Sequence, residues 1–185
     1  MRVIAGEARG RKLSVPPGLQ VRPSGARLRE SAFGILEHRG AIAEANVLDL
    51  FAGSGSLGIE ALSRGASSVV AVEQDRRVAE CLIANADRCG FAARHRTLVR
   101  PVLGALGSFG PDAVFDLIFL DPPYGKVDID AILGKIAAGS LLCPDGVIMV
   151  EHPHAEGPDA EGDLEVDLRR RFGGSEITIL RQRVG

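Results

Sequence analysis

Two stretches of this chain carry residue types able to do chemistry. Residues 116 to 126 read DLIFLDPPYGK: an apolar run, Leu117-Ile118-Phe119-Leu120, delivers Asp121, Pro122, Pro123 and Tyr124, the only tyrosine among 185 residues. A carboxylate next to a proline carbonyl makes two adjacent hydrogen-bond acceptors, because proline fixes φ and brings no N–H to compete for them. Such a pair can hold both hydrogens of an exocyclic base amine. That amine is a poor nucleophile while its lone pair is delocalised into the ring. Held at both hydrogens, it is pushed towards tetrahedral geometry and its lone pair is aimed outward, and Asp121 can take the proton released afterwards. Tyr124 offers a face on which the base can stack.

The second stretch is Asp49-Leu50-Phe51-Ala52-Gly53-Ser54-Gly55-Ser56-Leu57-Gly58, which contains G-x-G-x-x-G and is followed by Glu73, 20 residues after Gly53. Glycines allow a tight turn and close backbone approach, and an acid at that distance accepts from ribose hydroxyls. The pattern by itself leaves the nucleotide open. NAD would bring a pyrophosphate to the turn, whereas S-adenosylmethionine brings an ammonium and a sulfonium. Asp49, near the end of the strand that enters the turn, repels the first and attracts the second. The expected donor site is therefore Asp49, Phe51, Ala52, Gly53, Ser54, Gly55, Glu73 and Gln74, with S-adenosyl-L-methionine as ligand. Asp75 is expected beside it or as a helix cap.

These residues need a scaffold that brings strand ends together. From Asn46 onward the sequence alternates apolar strands with amphipathic helices. Strands are expected at Val47 to Phe51, Ser68 to Val72, Thr97 to Val99, Phe115 to Leu120 and Gly146 to Glu151. Helices are expected at about Leu57 to Arg64, Arg76 to Arg88, Val102 to Leu106 and Ile129 to Ala138. This alternation predicts an α/β, doubly wound, mostly parallel sheet with helices on both faces. Leu164 to Leu168 and Glu176 to Arg181 alternate apolar and polar, as an antiparallel hairpin at the C-terminal edge would, which makes seven strands. Upstream, Arg2 to Ala5 and Lys12 to Val15 read as a small N-terminal β-hairpin extension. Ser24 is the expected cap of a helix with Leu28, Ala32, Ile35 and Leu36 on one face. The expected division is residues 1–21 as the extension and 22–185 as the catalytic domain. Both sites then fall at the carboxyl edge of the sheet, where doubly wound folds bind ligands.

Composition narrows the partners. Residues 1 to 29 carry Arg2, Arg9, Arg11, Lys12, Arg22, Arg27 and Arg29 against Glu7 alone, although the whole chain has a net charge of −2. A basic arm on an acidic body points to a polyanion, because Lys and Arg displace phosphate counterions, and these seven are the expected RNA-binding residues. No apolar run reaches the ~20 residues of a membrane span. The basic N-terminus has no signal-peptide core. A cytoplasmic monomer that needs no metal is expected. Cys81, Cys89 and Cys143 form no C-x-x-C pair and are expected as reduced thiols, and His152-Pro153-His154 is expected in a loop rather than at a metal.

Asp121-Pro122-Pro123-Tyr124 matches the [D/N/S]-P-P-[Y/F] motif of amino-methyltransferases acting on nucleobases. With both motifs in place the chain resembles the class I, S-adenosylmethionine-dependent methyltransferases. More narrowly it resembles the RsmD family of small-subunit ribosomal RNA guanine-N2 methyltransferases. The match includes Arg2-Val3-Ile4-Ala5-Gly6 through Arg9-Gly10-Arg11-Lys12-Leu13, then Arg22-Pro23-Ser24, Arg27-Leu28-Arg29-Glu30 and Phe33. The resemblance implies methylation of guanine 966 of 16S RNA on an assembling 30S particle, with the helix around Arg27 closing over the donor and the basic hairpin meeting RNA. The chain departs from the family's pattern at Ala26, Gly34, Arg100-Pro101 and Phe172-Gly173-Gly174-Ser175.

The four-residue motif serves adenine and guanine amines alike, so a DNA adenine-N6 methyltransferase stays open, although 185 residues leave little room for a domain reading a duplex groove. A catalytically silent nucleic-acid-binding subunit is a further alternative. An NAD-linked oxidoreductase is disfavoured by Asp49 and by the lack of a substrate domain.

Overall fold

The computed structural model describes residues 1–16, 25–123, 125, 127–154, 156–159 and 162–183. Arg22, the cap position Ser24 and the stacking candidate Tyr124 lie outside them. The elements run α1 (Gly25–His38), β1 (Asn46–Leu50), α2 (Ser56–Ser63), β2 (Ser68–Glu73), α3 (Arg76–Cys89), β3 (His95–Val99), α4 (Val102–Leu106), β4 (Phe115–Leu120), α5 (Ile129–Ala138), β5 (Leu142–Pro153), β6 (Leu164–Phe172) and β7 (Ser175–Gln182). They form one seven-stranded sheet in the order β3-β2-β1-β4-β5-β7-β6. Strands β1 to β5 are parallel, and β7 lies antiparallel between β5 and β6. This is the doubly wound, mostly parallel sheet with an antiparallel C-terminal edge that the sequence predicts.

Strands buried on both faces read as continuous apolar runs, and their alternate residues feed two separate cores. Val47, Val69, Ala71, Leu117, Phe119, Val147 and Met149 pack with α1, α2 and α3, and the 5.7 Å approach of the Phe33 and Phe119 rings is part of that layer. Leu48, Leu50, Val72, Ile118, Leu120, Ile148 and Val150 pack with α4 and α5 on the opposite face. Asp49 falls on the α1–α3 face by the same parity, a carboxylate in a layer of aliphatic side chains.

The boundaries differ from expectation where backbone geometry intervenes. β1 stops at Leu50 because Phe51 adopts φ 62°, turning the chain out of the sheet and into the glycine turn. β5 begins at Leu142, ahead of Pro144-Asp145-Gly146, and absorbs that turn-like tripeptide in a register shift between the Phe115↔Leu142 and Leu117↔Val147 pairs. At its other end β5 includes His152 and Pro153, which the sequence placed in a loop. His152 is buried, with its Nε2 2.8 Å from Thr178 Oγ on β7. The N-terminal hairpin is short, with the antiparallel bridge Arg2↔Lys12 and the bonds Val3 N–H to Arg11 O (3.0 Å) and Leu13 N–H to Met1 O (2.9 Å). The backbone donors of the segment between its two arms go to α2. Ile4 and Ala5 N–H donate to the Glu60 carboxylate at 2.7 and 3.0 Å, and Ala8 N–H to Ser63 Oγ at 3.0 Å. Val3, Ala8 and Leu13 thereby join the α1–α3 core.

Candidate active site

The strand order reverses between β1 and β4, so the crevice at their carboxyl ends is where this topology holds a ligand. One rim is the turn from Phe51 to Gly55. Gly53 and Gly55 both have positive φ (56° and 84°), a region costly for a residue with a Cβ. Ala52 N–H donates to Val72 O at 3.0 Å and Gly55 N–H to Ala52 O at 2.8 Å. Ala52 and Ser54 are buried, while Phe51 and Gly53 are half-exposed. Beneath the turn, Asp49 is 1% exposed, and its Oδ2 accepts from Gly58 N–H at 2.9 Å. Burial pushes the Asp49 carboxyl up to about 7; the Gly58 N–H opposes the rise, and the charges of Asp121 and Glu73 add to it. A cation placed over the turn would relieve that strain.

Glu73 ends β2 and reaches across to the turn. Its Oε2 accepts from Gly53 N–H at 3.0 Å, and its Oε1 accepts from Asp75 N–H at 2.8 Å. Each carboxylate oxygen retains a lone pair, so the group can still accept from a diol while bracing the turn. Gln74 is exposed beside it. Asp75 caps α3, accepting from Arg77 and Val78 N–H at 2.8 and 3.1 Å. Beyond β3, at the departure Arg100-Pro101, Pro101 caps α4, and Arg100 N–H donates to the Glu73 carbonyl at 3.1 Å.

The other rim is the end of β4. Asp121 is half-exposed, Pro122 buried and Pro123 exposed. The register pairs Val72, Leu50, Leu120 and Val150 across β2, β1, β4 and β5. One position further along lie Glu73, Phe51, Asp121 and Glu151, which makes a row of three acids at the carboxyl edge. Glu151 is 6% exposed and was not singled out from the sequence, although a strand-final acid is the same signal that marked Glu73. Pro122, Pro123, Val127, Ile129, Glu151 and Pro153 surround a cavity of about 80 Å³ beside Asp121.

The basic residues do not act as one group. Arg2, Arg9, Arg11, Lys12 and Arg27 are exposed. Arg2 donates to Gly10 O at 2.8 Å and Arg11 to Arg88 O at 2.9 Å. Arg29, expected to face RNA, is 7% exposed and donates to Arg2 O at 3.0 Å, so it braces the N-terminal turn from inside. The sequence also gave no sign of Asn85. This fully buried side chain donates through Nδ2 to Ser54 O (2.8 Å) and Ser14 O (2.9 Å), and accepts from Ser14 N–H at 2.9 Å. One amide thus joins the glycine turn to the N-terminal arm. A lone Asn on a helix carries no sequence signature of this kind.

A seven-stranded sheet in this order, with a glycine turn and a strand-final Asp-Pro-Pro facing each other at the switch point, is the methyltransferase form of the doubly wound fold. The family described as Conserved hypothetical protein 95 matches residues 1–181, and the chain belongs to that family, the RsmD family of methyltransferases. Ribosomal RNA small subunit methyltransferase D of Escherichia coli K12 is 35% identical over 151 residues, 82% of this chain and 74% of that protein. YlbH of Bacillus subtilis 168 is 33% identical over 190 residues, 99% of this chain and 100% of that protein. The solved structure of Escherichia coli yhhF superimposes with a TM-score of 0.88 at 31% identity, covering 100% of this chain and 99% of that one. No helix among the described residues is long and apolar enough to cross a membrane.

Proposed function

We propose that this protein transfers a methyl group from S-adenosylmethionine to the N2 amine of a guanine in small-subunit ribosomal RNA. The observation that carries the proposal is the placement of Asp121 and Pro122 at the end of β4, directly across the switch point from the glycine turn held by Asp49 and Glu73. The name of the Escherichia coli relative supports the substrate class, and the family resemblance supports guanine 966 of 16S RNA as the target.

The residues present suit such a donor. A turn backed by Asp49 and flanked by Glu73 and Asp121 repels phosphate and attracts an ammonium or sulfonium, and Glu73 stands where a ribose diol would meet it. S-adenosylmethionine supplies an electrophilic methyl group. Asp121 and the Pro122 carbonyl accept the two amine hydrogens and direct the nitrogen lone pair at the methyl carbon. Bound there, the donor would supply its methyl with the sulfonium sulfur as leaving group, and Asp121 would take the proton released from the amine nitrogen and pass it to solvent. Catalysis is then positioning and electrostatics, with no covalent enzyme intermediate.

The test combines purified protein, labelled S-adenosylmethionine and small subunits from cells lacking the endogenous activity, with free 16S RNA and duplex DNA alongside and nucleoside analysis of the products. N2-methylguanosine is the expected product. N6-methyladenine in the DNA would keep the chemistry and overturn the substrate, and donor binding without product anywhere would overturn both.

A further inference from the structure

We propose that the carboxyl-terminal half of β6 is a phosphate-docking surface for the RNA substrate, with Arg170 and Arg171 as its contacts. This rests on the RNA reading above and extends it to a part of the molecule that the basic N-terminus does not reach. The chain returns through β7, and β6 then runs parallel to β5, so the end of β6 comes back to the edge that bears the active site. The pairs Val150↔Thr178 and Thr178↔Arg169 place Arg169 in the row of Leu120. One step further, Glu151↔Ile177 and Ile177↔Arg170 place Arg170 level with Asp121, three strand spacings or about 14 Å away. Ile177 belongs to the α1–α3 core, so Arg170 lies on the same sheet face as Asp49 and Glu73. Arg171, next along the strand and opposite Glu176, lies on the other face, so the two straddle the exposed end of this edge strand.

Charge is segregated along this edge strand. At its amino end the acids are already matched: Glu165 pairs with Arg181 at 2.7 Å, and Asp167 pairs with Arg39. At its carboxyl end Arg169, Arg170 and Arg171 are all exposed. Arg169 is committed to the neighbouring loop, donating to Pro158 O at 2.7 Å. Arg170 lies over the Phe172 ring at 5.9 Å, and Arg171 donates to Gly173 O at 3.0 Å; neither has an ion pair among the described residues. Glu176, opposite Arg171 in the register, is taken up by His154 at 2.7 Å. Charges on an edge strand discourage sheet-to-sheet pairing whatever their sign. That role does not explain why the unmatched positive charge collects only at the active-site end. A polyanion crossing the Asp121 crevice from the N-terminal arm would meet these arginines on the far side.

The experiment measures the binding of 16S RNA by the whole protein across a salt series, comparing wild type with the double variant Arg170→Gln, Arg171→Gln. Lys135→Gln, which removes an exposed cation from α5, is the control for loss of positive charge away from this surface. If the surface is right, the slope of log affinity against log salt falls by about one to two in the double variant and stays put in the control, because each lost phosphate contact removes roughly 0.7 to 0.9. KM for RNA rises several-fold, while turnover at saturating RNA and calorimetric affinity for S-adenosylmethionine stay unchanged. An unaltered slope overturns the proposal. An unaltered slope with weakened binding to assembled subunits also overturns it, in favour of a ribosomal-protein contact. If wild-type protein yields no N2-methylguanosine and binds RNA without salt dependence, the functional reading itself has failed, an outcome distinct from both.

Discussion

Asp49 and Gly58 are fitted to each other. The carboxylate accepts from the Gly58 N–H at 2.9 Å, and a Cβ built on Gly58 would lie 3.0 Å from that same Oδ2 and 2.9 Å from Val69 Cγ1. The third glycine of the G-x-G-x-x-G pattern therefore makes room for a buried acid under the turn. Gly58→Ala sets a helix gain of about 1 kcal/mol against an overpacking cost of about 1–3 kcal/mol. The close contacts are to a carboxylate and a β-branched side chain that are both fully enclosed, so the cost prevails. Denaturant midpoints should fall, and affinity for the proposed donor should drop several-fold as Asp49 is displaced. An increase in stability would mean that Asp49 is free to move aside.

The raised pKa of Asp49 has two measurable consequences. Its folded value of about 7 lies above the unfolded 3.8, so the folded protein binds the extra proton between those limits. Stability without ligand should therefore decline as pH rises from about 4 to 7, by at most about 1.4 kcal/mol per pH unit. Asp49→Asn, which keeps the acceptor for Gly58, should flatten that decline. A cation bound over the turn favours the charged form, so donor affinity should increase between pH 6 and 8, with proton release visible in calorimetry run in two buffers of different ionisation enthalpy. A pH-independent donor affinity would separate Asp49 from the ligand.

Glu73 and Asp121 occupy the same row but are assigned different tasks. Glu73→Ala removes the proposed diol acceptor together with the brace on Gly53, so affinity for the proposed donor should fall at least tenfold, corresponding to the loss of about 1.5–3 kcal/mol for a charge-assisted hydrogen bond. Asp121→Ala should leave donor affinity within a few-fold and reduce turnover by roughly 10²–10⁴, the usual worth of a positioned proton acceptor. Equal losses of binding and turnover in the two variants would remove the distinction between a binding acid and a catalytic one.

Much of this arrangement was legible in the sequence because it sits where periodicity changes. Asp49, Glu73 and Asp121 each end or nearly end an apolar strand, and a carboxylate there breaks a pattern that burial alone would continue. Glu151 stands at the same level near the end of β5, but the Pro144-Asp145-Gly146 tripeptide hid the start of that strand, and His152-Pro153-His154 resembled a loop although β5 runs on to Pro153. The role of Arg29 could not be read from charge, since an exposed and a buried arginine on a helix look alike until the N-terminal turn packs over α1. Arg170 and Arg171 gain their place only from the return of β6 through β7, a relation between strands far apart in the chain.

Asn85 was equally invisible, and it supports the site through long-range contacts alone. Its amide satisfies the Ser54 carbonyl of the glycine turn and both backbone groups of Ser14 on the N-terminal arm, with no exposure to water. Asn85→Ala takes this donor from the buried Ser54 carbonyl and the acceptor from Ser14 N–H, while Ser14 O keeps Cys81 Sγ at 3.4 Å. The change should cost about 1–3 kcal/mol of stability. Asn85→Asp keeps the acceptor for Ser14 N–H but turns a second carboxylate oxygen towards two carbonyls, so it should be no less damaging than alanine. Donor affinity, measured well below the unfolding transition, tells a positioning role from a merely structural one. If Asn85 holds Ser54 in register for the donor, both variants bind it at least several-fold more weakly while still folded, and the N-terminal arm becomes more susceptible to protease. If affinity per folded molecule is unchanged, Asn85 stabilises the fold alone, and the arm and the donor turn are independent of each other.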